Sequence, residues 1–200
     1  REWEWQLPKE GLLFLAIPDD ELERLFCSGR IVFPDGLKAV YFAGSRFFDV
    51  KNLFLLHPYS SITAESDLSR VPMAFFGSDD ELCLLLKSAG LNIISFPSAP
   101  SLLYHTSAVF AGNFTQFMVR IGIELLVKEG FSENEATSFI KFLVTSSLEN
   151  VFKKGVDGIT GPAVRKDMTT LEREESCLKE HCFDELAEIY RTISKSIIRG

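Results

Sequence analysis

The sequence predicts an α/β layer followed by an all-helical domain, and three observations carry that reading. In the first half, short apolar runs of strand length alternate with polar helical or turn segments. In the second half, apolar residues recur at helical spacing and strand signals almost vanish. The change falls near Phe96 to Pro100, which divides the chain into residues 1–97 and residues 98–200.

The strand-sized runs are LLFLAI (12–17), KAVYF (38–42), LFLL (53–56), MAFF (73–76) and LNIISF (91–96). The first three are nearly unbroken in apolarity, as strands covered on both faces are. Residues 19–26 form a short helix between the first two strands. Residues 78–89 form a clearer one, with Ser78 as N-cap, acids in the first turn and Gly90 just past its end.

From Ser98, with Pro100 near the first turn, a helical pattern runs to Gly130 through Leu103, Phe110, Phe114, Phe117, Met118, Ile121 and Leu125. Ser132 and Glu135 spell a capping box that opens a second helix through Phe152, ended by Gly155. GVDGITGP reads as a loop. Asp167 caps a third helix to about Glu180, and Asp184 a fourth to Ile198, with Leu186, Ile189, Tyr190, Ile193 and Ile197 on one stripe.

Composition narrows the function classes. A chain of 200 residues with 46% hydrophobic and 24% charged side chains is neither disordered, collagenous nor a coiled coil. Its net charge of -7 argues against nucleic acid and anionic lipid as partners. No apolar run approaches the ~18 residues of a membrane helix. Arg1 to Glu10 alternates charge with Trp, unlike a secretory signal, so the expected compartment is the cytoplasm. Cys27, Cys83, Cys177 and Cys182 are few and irregularly spaced, and read as reduced thiols. Cys177, His181 and Cys182 supply at most three ligands where a structural zinc site wants four, so no metal is expected.

The runs ending in AIPDDE, FAGS and LLHPY stop abruptly at small or turn-forming residues. In open parallel sheets, ligands bind at that carboxyl edge. The segments Ala16 to Asp19, Ala43 to Ser45 and His57 to Tyr59, which include Ile17, Pro18, Gly44 and Pro58, are therefore candidates for one crevice wall, or else plain turn residues. On the long helix, His105, Val109, Gly112 and Gln116 form one stripe, and Thr106 and Asn113 an adjacent one. This polar strip with a glycine notch could let a ligand come close, Asn113 orienting an amide and His105 delivering a proton; otherwise both side chains bond loop carbonyls. Arg165 could pair with a substrate carboxylate or phosphate, or with a local acid.

LLFLAIPDDEL, LLHP, YHTSAVFAGNF (104–114), SLENV (147–151) and TGPAVRKDMTTLE (160–172) resemble, in order and spacing, the Rossmann-like proteins with a helical C-terminal domain of unknown function, DUF2520. These are similar to pyrroline-carboxylate reductase and the coenzyme F420-dependent NADP oxidoreductases. The resemblance implies a partial Rossmann-like sheet followed by a helical domain like the C-terminal domain of 6-phosphogluconate dehydrogenase. It implies an oxidoreductase using NADP or NAD on a small C=O or C=N substrate, with His105 and Asn113 catalytic and Thr106, Gly112 and Arg165 at the substrate. Ala16, Ile17, Pro18, Gly44, Ser45, His57 and Pro58 would lie along the cofactor, and the helical domain would pair two subunits in a homodimer.

One departure stands out: the phosphate-binding G-x-G-x-x-G is nowhere in this sequence, and the resemblance makes the first run the fourth strand of the sheet. About 60 residues, or two βα units, are then expected to be missing ahead of it. Trp3 and Trp5 could cover the open flank or add an edge strand, or lie in a frayed tail. A non-catalytic dimerisation or binding module that keeps the oxidoreductase architecture is the alternative.

Overall fold

The computed structural model describes residues 7–27 and 31–200; Trp3 and Trp5 lie outside the described residues. The chain divides into two compact units, Arg1–Met118 and Val119–Gly200.

The first unit contains a five-stranded sheet in the order β1 (Glu10–Leu15), β2 (Gly36–Tyr41), β3 (Leu53–Pro58), β4 (Pro72–Phe76) and β5 (Asn92–Phe96). All five apolar runs became strands. β1, β2 and β3 are parallel, so their carboxyl ends share one edge; β4 runs against β3, and β5 is parallel to β4. This is a mostly parallel, Rossmann-like sheet, and the reversal at β4 is invisible in the apolar runs because side-chain alternation is the same in either direction.

Alternation builds two cores. Leu37, Ala39 and Tyr41 of β2, Leu53 and Leu55 of β3, and Ala74 and Phe76 of β4 pack on one face with Leu22 and Phe26 of α1 (Asp19–Cys27). Val40, Leu56, Met73 and Phe75 pack on the other with Leu82, Cys83 and Leu86 of α2 (Asp80–Ser88). Both faces are thus covered, as the unbroken apolarity of the central strands requires. Among the described residues β1 stands at one edge of the sheet, and Phe14 stacks on Phe42 with half its surface exposed.

The cap of α2 is Asp79, not Ser78: its carboxylate accepts from the Leu82 amide at 2.8 Å, while the Ser78 hydroxyl donates to the Pro97 carbonyl. A carboxylate also serves Lys38 of β2, which binds Asp79 at 2.8 Å.

The expected long helix runs from Leu102 to Lys128 as α3 (Leu102–Ala108), a π-helical segment (Val109–Phe114) and α4 (Thr115–Lys128). The change from strands to helices comes after Phe96, while the compact units part within α4, so α3 and the π segment belong with the sheet.

In the second unit, α5 (Glu133–Lys154) opens on the reciprocal Ser132–Glu135 capping box and ends at Gly155. GVDGITGP begins with a 3-10 turn, Gly155–Gly158. α6 (Met168–Glu180) is capped by Asp167, whereas α7 (Asp184–Arg199) has Phe183 at its cap position and Asp184 inside its first turn. Gly122 brings α4 and α5 together, since a methyl there would meet Ile140 Cδ1 at 3.0 Å. The four cysteines are free thiols. Among the described residues no helix is long and apolar enough to cross a membrane.

Candidate functional site

His57 follows from the period of β3. Leu53, Leu55 and His57 point to the same face, so the imidazole emerges at the carboxyl edge beside the α1 side of the sheet. Gly44, three residues past the end of β2, packs against the ring near Nε2: a methyl on Gly44 would come 2.5 Å from Nε2. Its Nδ1 is 2.8 Å from the Tyr104 hydroxyl of α3. The Tyr104 ring in turn meets Phe76 edge-on at 5.2 Å and Tyr59 at 5.4 Å.

Two further links join the segment after β3 to the long helix. The Tyr59 hydroxyl lies 2.5 Å from Ser107 Oγ, and Gln116 donates to Ser61 Oγ at 2.8 Å. Ser107 and Gln116 are nine residues apart, which on an α-helix at ~100° per residue puts them on opposite sides. The π segment between them takes up an extra residue per turn and swings Gln116 back toward the loop. The stripe of His105, Val109, Gly112 and Gln116 assumed a uniform α-helix; the π segment regroups Gln116 with Tyr104 and Ser107.

Among the predicted site residues, the structure gathers Gly44, Ser45, His57, Pro58 and His105. The His105 ring is 5.9 Å from that of His57. Ser45 donates to the Asp19 carboxylate at 2.6 Å, at the start of α1. Ala16 and Pro18 are exposed just ahead of it, and Ile17 packs on the core. Gly112 follows Ser107 by five residues, one turn of a π-helix, and a methyl there would meet nothing within 4 Å.

The remaining candidates do not join this cluster through any described contact. Thr106 donates its hydroxyl to the Leu102 carbonyl of its own helix. Asn113 is exposed, and its amide has no hydrogen-bond partner among the described residues. Arg165 belongs to the second unit, where it is exposed, forms no ion pair among the described residues, and adds its charge to the Thr170 hydrogen bonds that hold the Asp167 carboxyl low. Cys177 and His181 contact each other on α6, and no group of three metal-ligating side chains forms among the described residues.

Asp19 and Tyr59 close two of the segments expected to line the crevice wall, whereas sequence reading gave no role to Tyr104 and Ser107. Tyr104 was hidden beside the more conspicuous His105.

Electrostatics favour uncharged rings at this edge. Burial, then the neighbouring His105, hold the His57 imidazole below its ordinary range, against a smaller pull from Asp19. Burial, with Tyr59 adding to it, pushes the Tyr104 phenol up to about 12. The cluster therefore presents a neutral imidazole and a protonated phenol at neutral pH.

Comparison with known proteins adds the following. The model of a domain of unknown function, DUF2520, matches residues 78–197. No curated protein sequence matches the chain. A solved structure from Bacteroides fragilis, provisionally designated an NADP oxidoreductase, superposes with a TM-score of 0.75 at 21% identity over 98% of this chain and 78% of its own. A Thermotoga maritima protein gives 0.62 at 22% identity, over 95% of this chain and 81% of its own. An Aspergillus terreus reductive aminase, solved with NADPH and ethyl levulinate, gives 0.65 at 13% identity over 94% and 72%. At these identities the likeness is one of fold.

Proposed function

The chain belongs to the DUF2520 family, and from that premise we propose that it is an NAD(P)-dependent oxidoreductase acting on a small substrate with a C=O or C=N bond. The observation that carries the reading is the meeting of His57, at the end of parallel strands, with Tyr104 and His105 of the long helix. Strand ends beside such a helix are where open α/β sheets hold ligands. The reductase designations of the Bacteroides fragilis and Aspergillus terreus proteins support the same class.

The residues present fit the uncharged part of a dinucleotide. Asp19 and Ser45 offer an acceptor and a hydroxyl suited to a ribose, next to the exposed Ala16 and Pro18, with His57 and Pro58 along the same edge. Asp19, Asp20 and Glu21 crowd the first turn of α1, so that helix start repels phosphate. When bound, the nicotinamide supplies a hydride. The chain's own part is to orient the substrate and to hold a proton beside it: the open space at Gly112 receives the substrate, Asn113 and Thr106 flank it, and the His57–Tyr104–His105 cluster holds the proton.

Calorimetric titration with NADPH and NADH tests the reading. Saturable binding of either is expected, and no heat at millimolar cofactor overturns it.

The second reading, a dimerisation or binding module, is favoured by the apolar surface of α5, where Phe142 and Phe152 are 78% and 84% exposed. Phe139 and Leu143 beside Phe142 are exposed too, and contiguous apolar surface of this kind marks interaction sites. A homodimer through the helical unit is proposed under both readings.

A further inference from the structure

Formal charge is missing from the walls of the candidate site. Residues 52–64, which hold β3 and the loop after it, and residues 88–119, which hold β5, α3 and the π segment, contain no Asp, Glu, Lys or Arg. In a chain where 24% of side chains are charged, that is a property of these two stretches and not of the composition. They close on each other at two points, Tyr59 on Ser107 and Ser61 on Gln116. Gly112 is half-buried between those points, a π turn beyond Ser107 and an α turn before Gln116, and the space off its α-carbon is open to 4 Å. Tyr59, Ser61, Tyr104, Ser107, Gly112 and Gln116 all belong to the first unit.

The charges bordering these walls supply no free cation. Beside the cluster stands the Asp19 carboxylate, bonded to Ser45, which pulls the His57 imidazole upward against burial and His105. No lysine or arginine among the described residues displaces either His57 or Tyr104. Arg46, next to Ser45, is engaged by Glu23 at 3.3 Å and lies 4.0 Å from Asp20. Arg70, ahead of β4, is exposed and leaves no mark on the cluster.

We infer that the substrate of this site is an uncharged carbonyl or imine compound, not an oxo acid or a phosphate ester. The inference rests on the oxidoreductase reading and narrows its substrate class. A carboxylate or phosphate gives up its water only for strong, usually cationic donors, of which a bidentate arginine is the best. These walls offer the hydroxyls of Tyr59, Ser61 and Ser107 and the amide of Gln116, and Asp19 repels an anion. The start of α1, whose amides are a potential anion site, carries three acids. An uncharged ligand exchanges water for such a wall at little cost: its oxygen or nitrogen meets neutral polar groups, and its hydrocarbon meets the rings of Tyr59 and Tyr104.

The test uses the intact chain with methyl pyruvate and pyruvate as probes, which share a ketone and differ by one charge. At neutral pH and low salt, methyl pyruvate is expected to bind roughly tenfold or more tightly than pyruvate, and to move the ring signals of His57 and His105 in NMR. Asp19→Asn should strengthen pyruvate binding and leave the ester as it was, with circular dichroism and melting temperature establishing that the variant is folded. Tighter binding of pyruvate, binding of neither probe at millimolar concentration, ester binding that leaves both rings unmoved, or a folded Asp19→Asn in which pyruvate gains nothing each overturn the assignment. A parallel NADPH titration separates the two readings: ester preference without NADPH binding supports the uncharged ligand and removes the reductase reading, while NADPH binding with preference for pyruvate does the reverse.

Discussion

The imidazole of His57 rests against Gly44 so closely that a single methyl group on the glycine would lie 2.5 Å from Nε2, 2.6 Å from Cδ2 and 2.8 Å from Cε1. The far side of the same ring is tied to Tyr104. The absence of a side chain just past β2 therefore sets where a histidine at the end of β3 can stand.

Gly44→Ala should displace that ring. Pushing it outward breaks the 2.8 Å bond to Tyr104, so the first effect is on His57 itself, with a loss of stability of about 1–3 kcal/mol typical of overpacking. Histidine NMR and chemical denaturation measure the two effects. An unchanged His57 signal would show that the ring is not held by this contact.

Acid should destabilise the protein in part through His57. Its folded-state affinity for protons is lowered by burial and by His105. Between the ordinary histidine value near 6.5 and the lower folded value, the unfolded chain therefore binds more protons than the folded one. The stabilising contribution is present above the ordinary value and is lost as pH falls through that window. His57→Gln should lose less stability than the parent between neutral pH and pH about 5. His105→Gln removes a repelling neighbour and should raise the His57 pKa, which proton NMR reads directly.

Gly112→Ala separates stability from function. A methyl there meets no atom within 4 Å and replaces glycine in a helical segment, so the melting temperature should rise, by the equivalent of roughly 0.5–1 kcal/mol. On the proposed reading it also narrows the space for the substrate, and the binding of a small C=O or C=N compound should weaken. A variant that is more stable and binds as before would remove Gly112 from the site.

Asp79→Ala should cost about 1–2 kcal/mol, because the carboxylate caps α2 and also binds Lys38. Burial works to raise this carboxyl, and Lys38 with the Leu82 amide outweighs it, so the net displacement is downward. The associated stability is present above the ordinary aspartate range and is lost as pH falls through the lowered value. Asp79→Asn keeps the cap acceptor and loses the charge, so it should be milder at neutral pH. Denaturation curves at pH 7 and at about pH 3 test both.

Phe142→Lys should shift a homodimer toward monomer. Sedimentation velocity at micromolar concentration measures this, and an unchanged sedimentation coefficient would place the α5 aromatics outside the interface.

The sequence by itself determined the elements and most of their boundaries. Five apolar runs became β1 to β5, Ser132 with Glu135 made its capping box, and Asp167 capped α6. These are local matters of side-chain period and terminal amide satisfaction, settled within a few residues of chain. Where two caps stood side by side, as at Ser78 and Asp79, local reading chose the wrong one, because the deciding partner, Lys38, lies 41 residues away.

The site was legible by halves. His57, Tyr59, Gly44, Ser45 and His105 announced themselves by chemistry and by their place after strands or on the long helix, but the part of Tyr104 and Ser107 became visible only when the chain was folded. Tertiary structure alone decided three things: the reversal of β4, the π-helical widening between Ser107 and Gln116, and the pairing of His57 with Tyr104 across 47 residues. Strand direction leaves no mark on alternation, and a helix of regular period cannot bring both Ser107 and Gln116 to one loop. A hydrogen bond between distant residues exists only once the two cores have packed and brought them within 3 Å.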